Sequence, residues 1–150
     1  MSAFADTSFL FAFYFRRDAS QRAIEKVEAA TLPLRISALV HYEFVQAVWL
    51  EVWFRANGEQ RGMNETDAQN GLAAFALDVE QGLWDIAAPD WDGVIREAER
   101  LAVNHTPRLG ARALDILHVA TARHLGATEF LTFDINQRHL AEAEGFAVSV

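Results

Sequence analysis

The sequence contains no cysteine, and Lys26 is its only lysine. The absence of cysteine excludes disulfide bonds and metal sites built from thiolates, and it fits a protein of the reducing cytoplasm. No stretch of about 18 residues is apolar and uncharged, so we expect no membrane span. The segment Met1–Asp18 has no basic amino-terminal region, and Asp6 interrupts its apolar residues, so we expect no secretory signal peptide. We therefore expect a cytoplasmic protein without membrane contact.

Basic residues are scarce relative to acidic ones. Lys and Arg together number 13 against 21 Asp and Glu, which gives a formal net charge of −8. This balance argues against a protein that coats nucleic acid, because binding to phosphates relies on basic side chains. It is compatible with an enzyme whose acidic residues hold metal ions that meet a phosphate. Because all but one of these basic residues are Arg, bidentate contacts to phosphate or carboxylate are available.

The apolar content is high for a chain of this length. Hydrophobic residues make up 51% of the 150 residues, and they include 11 Phe and 4 Trp. A chain with this content buries a substantial core and is not disordered. We find no repeat, linker or low-complexity segment, so we predict a single domain over residues 1–150.

Apolar runs alternate with segments of helical periodicity along the chain. The runs predict five short strands, at residues 3–5, 34–37, 83–87, 130–133 and 146–150. The periodic segments predict a helix that begins after Asp6 and further helices at residues 18–30, 38–55, 63–80, 91–103, 113–125 and 135–144. Residues 104–110, which contain Pro107, are predicted to form a loop. This alternation predicts an α/β fold with a parallel sheet and helices on both faces.

The stretch from Ala113 to Asn136 carries the clearest functional signal. Asp115 and His118 share one face of its helix, and the following buried strand ends at Asp134. In α/β folds, ligands bind outside the carboxyl ends of the strands. An acid at the end of a buried strand, with a second acid in the preceding helix, therefore predicts a polar site at this edge of the sheet.

Two further acids are expected at the same edge. Asp6 follows the first strand, and Glu43 lies within a helix that is apolar around nearly its whole circumference. Such a helix is buried or lies in a subunit contact, and a carboxylate on it is costly unless it is paired, protonated or bound to a metal. Each acid also has an ordinary explanation: helix capping for Asp6 and Asp134, and an ion pair with an arginine for Glu43 and Asp115.

Four acids in one place would suit a hard divalent cation. Carboxylate oxygens are the ligands that Mg²⁺ and Mn²⁺ prefer. One or two such ions activate water and neutralise the charge of a phosphodiester during in-line attack. The acids therefore predict phosphodiester hydrolysis, provided that the fold brings them together.

The four acids lie in four characteristic segments of the chain. These are Asp6-Thr7-Ser8, the segment Ser37-Ala38-Leu39-Val40-His41-Tyr42-Glu43, the segment Arg112-Ala113-Leu114-Asp115-Ile116-Leu117-His118-Val119-Ala120-Thr121-Ala122, and Leu131-Thr132-Phe133-Asp134. Together they resemble PIN domains and, within them, the toxin ribonucleases of VapBC toxin–antitoxin pairs. The resemblance covers essentially the whole chain.

The resemblance implies a fold, an activity and partners. The implied fold is a three-layer α/β/α sandwich around a central parallel sheet of about five short strands. The implied activity is that of a Mg²⁺- or Mn²⁺-dependent endoribonuclease acting on an RNA substrate. The implied partners are a second copy of the chain in a homodimer and a cognate antitoxin protein.

The resemblance also implies residue roles. Asp6, Glu43, Asp115 and Asp134 match the metal-binding acids of the family. Thr132 matches the hydroxyl residue of the fourth strand that orients the site. The remaining candidates for supporting polar contacts are Ser8 and Asn136.

Some basic and aromatic side chains have less specific assignments. His118 shares the face of Asp115, and we interpret it as a satisfied core histidine or a support of the site rather than a catalytic base. The candidates for guiding RNA phosphates are Arg16, Arg17, Arg108 and Arg112. The Trp and Phe residues of the helix that carries Glu43 indicate a dimer or antitoxin surface, and the sequence does not choose between the two.

Two alternatives to a ribonuclease remain open at this point. A receiver-type signalling domain is also α/β with an acidic pocket, but it needs adjacent acids after the first strand and a lysine after a late strand. Here Asp6 stands alone and Lys26 lies in an early helix, which disfavours that class. A catalytically silent interaction module of the same fold is the other alternative. The four acids weigh against it, because a binding protein gains nothing from uncompensated carboxylates.

Overall fold

The computed structural model describes residues 2–150 as four strands and seven helices. The strands are β1 (Ala3–Ala5), β2 (Leu34–Ser37), β3 (Trp84–Ala87) and β4 (Glu129–Leu131). The helices are α1 (Thr7–Tyr14), α2 (Ser20–Ala29), α3 (Ala38–Ala56), α4 (Glu65–Glu80), α5 (Trp91–Leu109), α6 (Ala113–His124) and α7 (Ile135–Ala143). The strands and helices alternate in the way that the sequence predicts.

The four strands form one parallel sheet in the order β3-β2-β1-β4. Ala5 of the central strand β1 pairs with Leu131 of the edge strand β4, so these two strands end side by side. The backbone N–H of Asp6 donates to the carbonyl of Leu131, which extends the pairing by one residue. The residues that follow β1 and β4 therefore lie at one edge of the sheet.

Helices cover both faces of the sheet, which confirms the three-layer α/β/α architecture. Helices α1 to α4 pack against one another, and α5 to α7 form a second group. Between the layers lie phenylalanines that are completely buried, among them Phe4, Phe9, Phe44 and Phe130. Residues 2–150 contain no helix that is long and apolar enough to cross a membrane.

The predicted fifth strand at residues 146–150 is wrong. Within residues 2–150 this segment makes a single bridge, in which Ala147 pairs with Glu129. The N–H of Phe130 donates to the carbonyl of Ala147, and the N–H of Ala147 donates to the carbonyl of Thr128. Because β4 itself is only three residues long, the ladder beside it ends after one step. The strand predicted at 130–133 is likewise shorter, so Thr132 follows β4 instead of lying in it.

The predicted loop at residues 104–110 is also wrong, because α5 continues through Pro107 to Leu109. Proline removes one N–H donor, which would bond to the carbonyl of Val103 four residues earlier. Val103 is 76% exposed, so water can reach this turn of the helix. The same turn buries His105 against Glu144, and Gly110 ends the helix in the left-handed conformation at φ 61°. Packing thus outweighs the local cost of the proline.

Candidate active site

A cavity of about 730 Å³ lies at the edge of the sheet where β1 and β4 end. Its wall includes all four predicted acids, Asp6, Glu43, Asp115 and Asp134. Apolar side chains of α1, α3 and α6 complete much of the wall, among them Phe11, Ala47, Leu50 and Leu114. The structure therefore places the four acids around one space, although they come from four separate segments of the chain.

Asp6 is the most buried of the four acids, with 4% of its surface exposed. Its carboxylate caps α1 by accepting from the N–H of Phe9 at 3.0 Å, as a helix-capping aspartate is expected to do. It also accepts hydrogen bonds from the hydroxyls of Ser8 and Thr132. Burial raises the pKa of Asp6 to about 6, although these hydrogen bonds and the nearby His118 oppose the shift.

Thr132 and Ser8 tie the end of β4 to the end of β1. The hydroxyl of Thr132 donates to Asp6 and accepts from the N–H of Asp134 at 3.0 Å. The hydroxyl of Ser8 donates to Asp6 at 2.6 Å and accepts from the N–H of Phe133 at 2.9 Å. Thr132 is completely buried and lies behind the cavity wall, whereas Ser8 lines the cavity. Both side chains thus orient Asp6.

Glu43 projects into the cavity from the second turn of α3. Its Oε1 accepts hydrogen bonds from Thr7 Oγ1 and from His118 Nε2, the latter at 3.2 Å. Burial alone would raise the pKa of Glu43, but the hydrogen bonds from His118 and Thr7 and the charge of Arg112 lower it below its usual value. The contact with Thr7 was not predicted, and its only signal in the sequence is the position of Thr7 beside Asp6.

Asp115 occupies the first turn of α6 and pairs with an arginine from the same region. Arg112 Nε lies 3.4 Å from Asp115 Oδ2, as the ordinary explanation for this acid predicts. Burial raises the pKa of Asp115, and the charge of Asp134 adds to the shift, while Arg112 and His118 oppose it. Two carboxylates of the cavity thus repel each other, and one arginine does not fully compensate them.

Asp134 caps α7 by accepting from the backbone N–H groups of Asn136 and Gln137 at 2.8 and 3.0 Å. The side chain of Asn136 is exposed and does not line the cavity. The two backbone contacts confirm the helix cap predicted for Asp134. The buried side chain of Gln137 donates to the carbonyl of Asp115 at 3.2 Å, which joins α7 to the first turn of α6.

Two of the four predicted arginines reach the cavity. Arg17 and Arg112 line it, whereas Arg16 and Arg108 do not. Arg17 pairs at 3.4 Å with Glu51, an acid of α3 that also lines the cavity. Sequence reasoning missed Glu51, although it follows Glu43 by about two helical turns and so shares its face of α3.

The donor set fits a hard divalent cation in its chemistry. The four side chains offer carboxylate oxygens. Burial raises the pKa of Asp6 and of Asp115, and a bound cation would offset the cost of ionising these two carboxyl groups. Within residues 2–150, however, no group of three or more His, Asp or Glu side chains is arranged to hold an ion. Each carboxylate is instead held by donors of the protein itself, as described above.

Comparison with protein families and solved structures gives a consistent result. Residues 3–143 match the family model described as PIN domain. VapC20 of Mycobacterium tuberculosis, a toxin that cleaves the sarcin–ricin loop, superposes with a TM-score of 0.69 at 19% identity over 97% of each chain. FitAcB of Neisseria gonorrhoeae superposes with a TM-score of 0.66 at 17% identity, over 99% of this chain and 96% of the other.

A third structure, VapBC-1 of nontypeable Haemophilus influenzae, has a TM-score of 0.65 at 14% identity, over 99% of this chain and 97% of the other. Comparison with curated protein sequences gave no significant match. At these identities the structural similarity establishes the fold alone. The family model spans nearly the whole chain, however, and this chain therefore belongs to the PIN-domain family.

Proposed function

We propose that this protein is a metal-dependent endoribonuclease and the toxin of a type II toxin–antitoxin pair. The observation that carries the proposal is the placement of four carboxylates around one cavity of a PIN domain. VapC20, a toxin that cleaves the sarcin–ricin loop, and VapBC-1 are among the structures with the same fold, which supports the toxin–antitoxin role. The receiver-type alternative loses its support, because the chain belongs to the PIN-domain family.

The residues of the cavity divide the proposed work. Asp6, Glu43, Asp115 and Asp134 would hold Mg²⁺ or Mn²⁺, which supplies activation of water and neutralisation of phosphodiester charge when bound. Thr132 fixes the orientation of Asp6 through the hydrogen bond between their side chains. The hydroxyl of Ser8 supports Asp6 in the same way.

Arg17 and Arg112 are the cavity arginines proposed to orient phosphates of the RNA. Both guanidinium groups lie on the wall near the acids, and both are partly exposed. A planar guanidinium offers paired donors that match phosphate oxygens. Because the whole chain carries a net charge of −8, these local arginines supply the attraction to RNA that the overall surface lacks.

The first test is cleavage of a pool of structured RNAs in the presence of Mn²⁺ or Mg²⁺. Asp115→Asn keeps the size of the side chain and removes its charge, so we expect this variant to fold and to lose cleavage. Asp85→Asn is the matched control, because Asp85 lies on β3, pairs with Arg35 and does not line the cavity. Equal cleavage by wild type and Asp115→Asn would contradict the proposal.

The second test is metal binding in the absence of RNA. A ligand that binds only the folded state stabilises it, by about 2.7 kcal/mol at a concentration of 100 times its Kd. We therefore expect millimolar Mn²⁺ to raise the melting temperature of wild type and of Asp85→Asn, and to have little effect on Asp115→Asn. A melting temperature that does not respond to Mn²⁺ or Mg²⁺ would count against the metal site.

A second candidate is a catalytically silent interaction module with this fold. The observation that favours it is that no three acids of residues 2–150 are arranged around a common ion. This candidate predicts neither cleavage nor stabilisation by Mn²⁺. Metal binding without cleavage would instead indicate a ribonuclease with a narrow target.

The remaining parts of the proposal concern organisation and partners. We propose that residues 1–150 act as a single domain, that two copies form a homodimer and that a cognate antitoxin inhibits the enzyme. We place the protein in the cytoplasm. The antitoxin proposal predicts that a candidate antitoxin co-purifies with this protein when the two are co-expressed. It also predicts that the complex no longer cleaves RNA.

A further inference from the structure

His118 joins two of the acid-bearing helices. It lies on α6 one turn after Asp115, is 2% exposed, and its Nε2 is 3.2 Å from Oε1 of Glu43 on α3. A carboxylate oxygen only accepts hydrogen bonds, so Nε2 carries the hydrogen and donates it. A hydrogen bond of this kind sets the distance between the carboxylate of Glu43 and the helix that carries Asp115.

We propose that His118 is a positioning residue that holds the carboxylate of Glu43 in the orientation needed to bind a divalent cation. This inference rests on the proposed metal-dependent function. Thr7 Oγ1 and His118 Nε2 both donate to Oε1 of Glu43, which leaves Oε2 for a cation. Partners that orient a metal ligand in this way commonly change metal affinity when they are removed.

The surroundings of His118 do not suit a catalytic base. Nε2 is engaged with Glu43, and Nδ1 is buried without a hydrogen-bond partner. A base that activates water in the cavity needs a free nitrogen lone pair facing that water. Neither nitrogen of His118 meets this condition, so the imidazole acts on the site through Glu43.

A second buried histidine of the chain provides a matched control. His105 is 7% exposed, its Nε2 contacts Oε1 of Glu144, and its Nδ1 is also buried without a partner. Both histidines therefore link a helix to a glutamate by the same kind of hydrogen bond. Of these two pairs, only His118 and Glu43 line the cavity. Loss of a buried histidine should destabilise the fold in both cases, whereas an effect on metal binding is expected only for His118.

The experiment measures the Mn²⁺ affinity of the full chain without RNA, from the electron paramagnetic resonance signal of free Mn²⁺. We expect His118→Leu to weaken Mn²⁺ binding by ~10–100-fold. We expect His118→Gln to restore it, because the amide places an N–H donor near the position of Nε2. His105→Leu should leave the affinity unchanged. If His118→Leu does not fold, His118→Asn replaces it, because its shorter amide does not reach Glu43.

A double-mutant cycle on the metal-free protein tests the contact between His118 and Glu43 by itself. We expect the double variant of His118→Leu and Glu43→Leu to lose less melting temperature than the two single variants lose in sum, because both remove the same interaction. Additive shifts, or an Mn²⁺ affinity of His118→Leu equal to that of wild type, would overturn the positioning role. A wild type that binds no Mn²⁺ would refute the proposed function, while the cycle would still decide whether His118 holds Glu43.

Discussion

Asp6 is a buried residue whose ionisation opposes the stability of the fold. Its carboxylate is buried, and its pKa is raised from 3.8 to about 6. Between these two pH values the folded protein binds more protons than the unfolded chain, so stability falls as the pH rises. The stability that the protonated carboxyl group of Asp6 contributes is fully present below pH 3.8. It is lost as the pH rises past 6, because the buried group must then become charged.

Asp6→Asn should therefore stabilise the metal-free protein at pH 7. A shift of this size corresponds to ~3 kcal/mol at most. Asparagine also caps helices well, so α1 keeps its cap. Thermal unfolding of both proteins at pH 4, 5, 6 and 7 measures the effect. We expect the advantage of the variant to grow from pH 4 to pH 7 and its response to Mn²⁺ to be lost; an advantage that does not change with pH would contradict the assignment to Asp6.

The sequence predicted the location of those site residues that directly follow a strand. Asp6 and Asp134 follow strands that end at one edge, and both lie on the cavity wall where parallel pairing predicts them. Their role as metal ligands stays a prediction. The hydrogen bonds of Glu43 were not predictable, because Thr7 and His118 are 36 and 75 residues away and approach it only in the folded chain.

Helix α4 illustrates packing at the scale of an element. Gly71 lies in its interior, and a Cβ at this position would come within 2.2 Å of the ring of Phe15. That ring is held between Phe11 and Phe44, so it has little freedom to move. The glycine therefore permits close approach of α4 to the end of α1, at the cost of helix propensity.

Gly71→Ala should destabilise the protein for this reason. The gain in helix propensity is about 1 kcal/mol, whereas overpacking of a filled core typically costs ~1–3 kcal/mol. We expect a net loss in chemical denaturation, and partial recovery in the double variant with Phe15→Leu, which lacks the end of the ring. Ala73→Gly at an exposed position of α4 is the control for propensity alone. A more stable Gly71→Ala would show that the ring adapts.

The elements themselves were mostly predictable, and the exceptions have a common cause. All four strands begin or end within about two residues of the predicted limits, because buried apolar runs in α/β folds are short and bounded by polar residues. The continuation of α5 through Pro107 and the single bridge at Ala147 were not predictable. Both depend on contacts with distant residues, namely Glu144 for the last turn of α5 and Glu129 for Ala147.

At the scale of the whole molecule, helix α3 carries an exposed aromatic surface. Tyr42, Trp49 and Trp53 lie along one stripe of α3 and are 67%, 39% and 54% exposed. Aromatic residues are enriched at protein interfaces, where they bury a large apolar area. The stripe accounts for the excess of Trp on this helix and places it on the outside of the fold instead of in the core.

We expect this stripe to be buried in the proposed homodimer. A glutamate in place of Trp53 would have to be buried there without a partner, and charges of this kind are costly. Trp53→Glu should therefore sediment as a monomer under conditions where wild type is a dimer. Val103→Glu is the matched control, because Val103 is an exposed apolar residue of α5, away from the stripe. A Trp53→Glu variant that stays dimeric would exclude the stripe from the dimer contact. A binding measurement with the co-expressed antitoxin would then decide whether the stripe binds that partner.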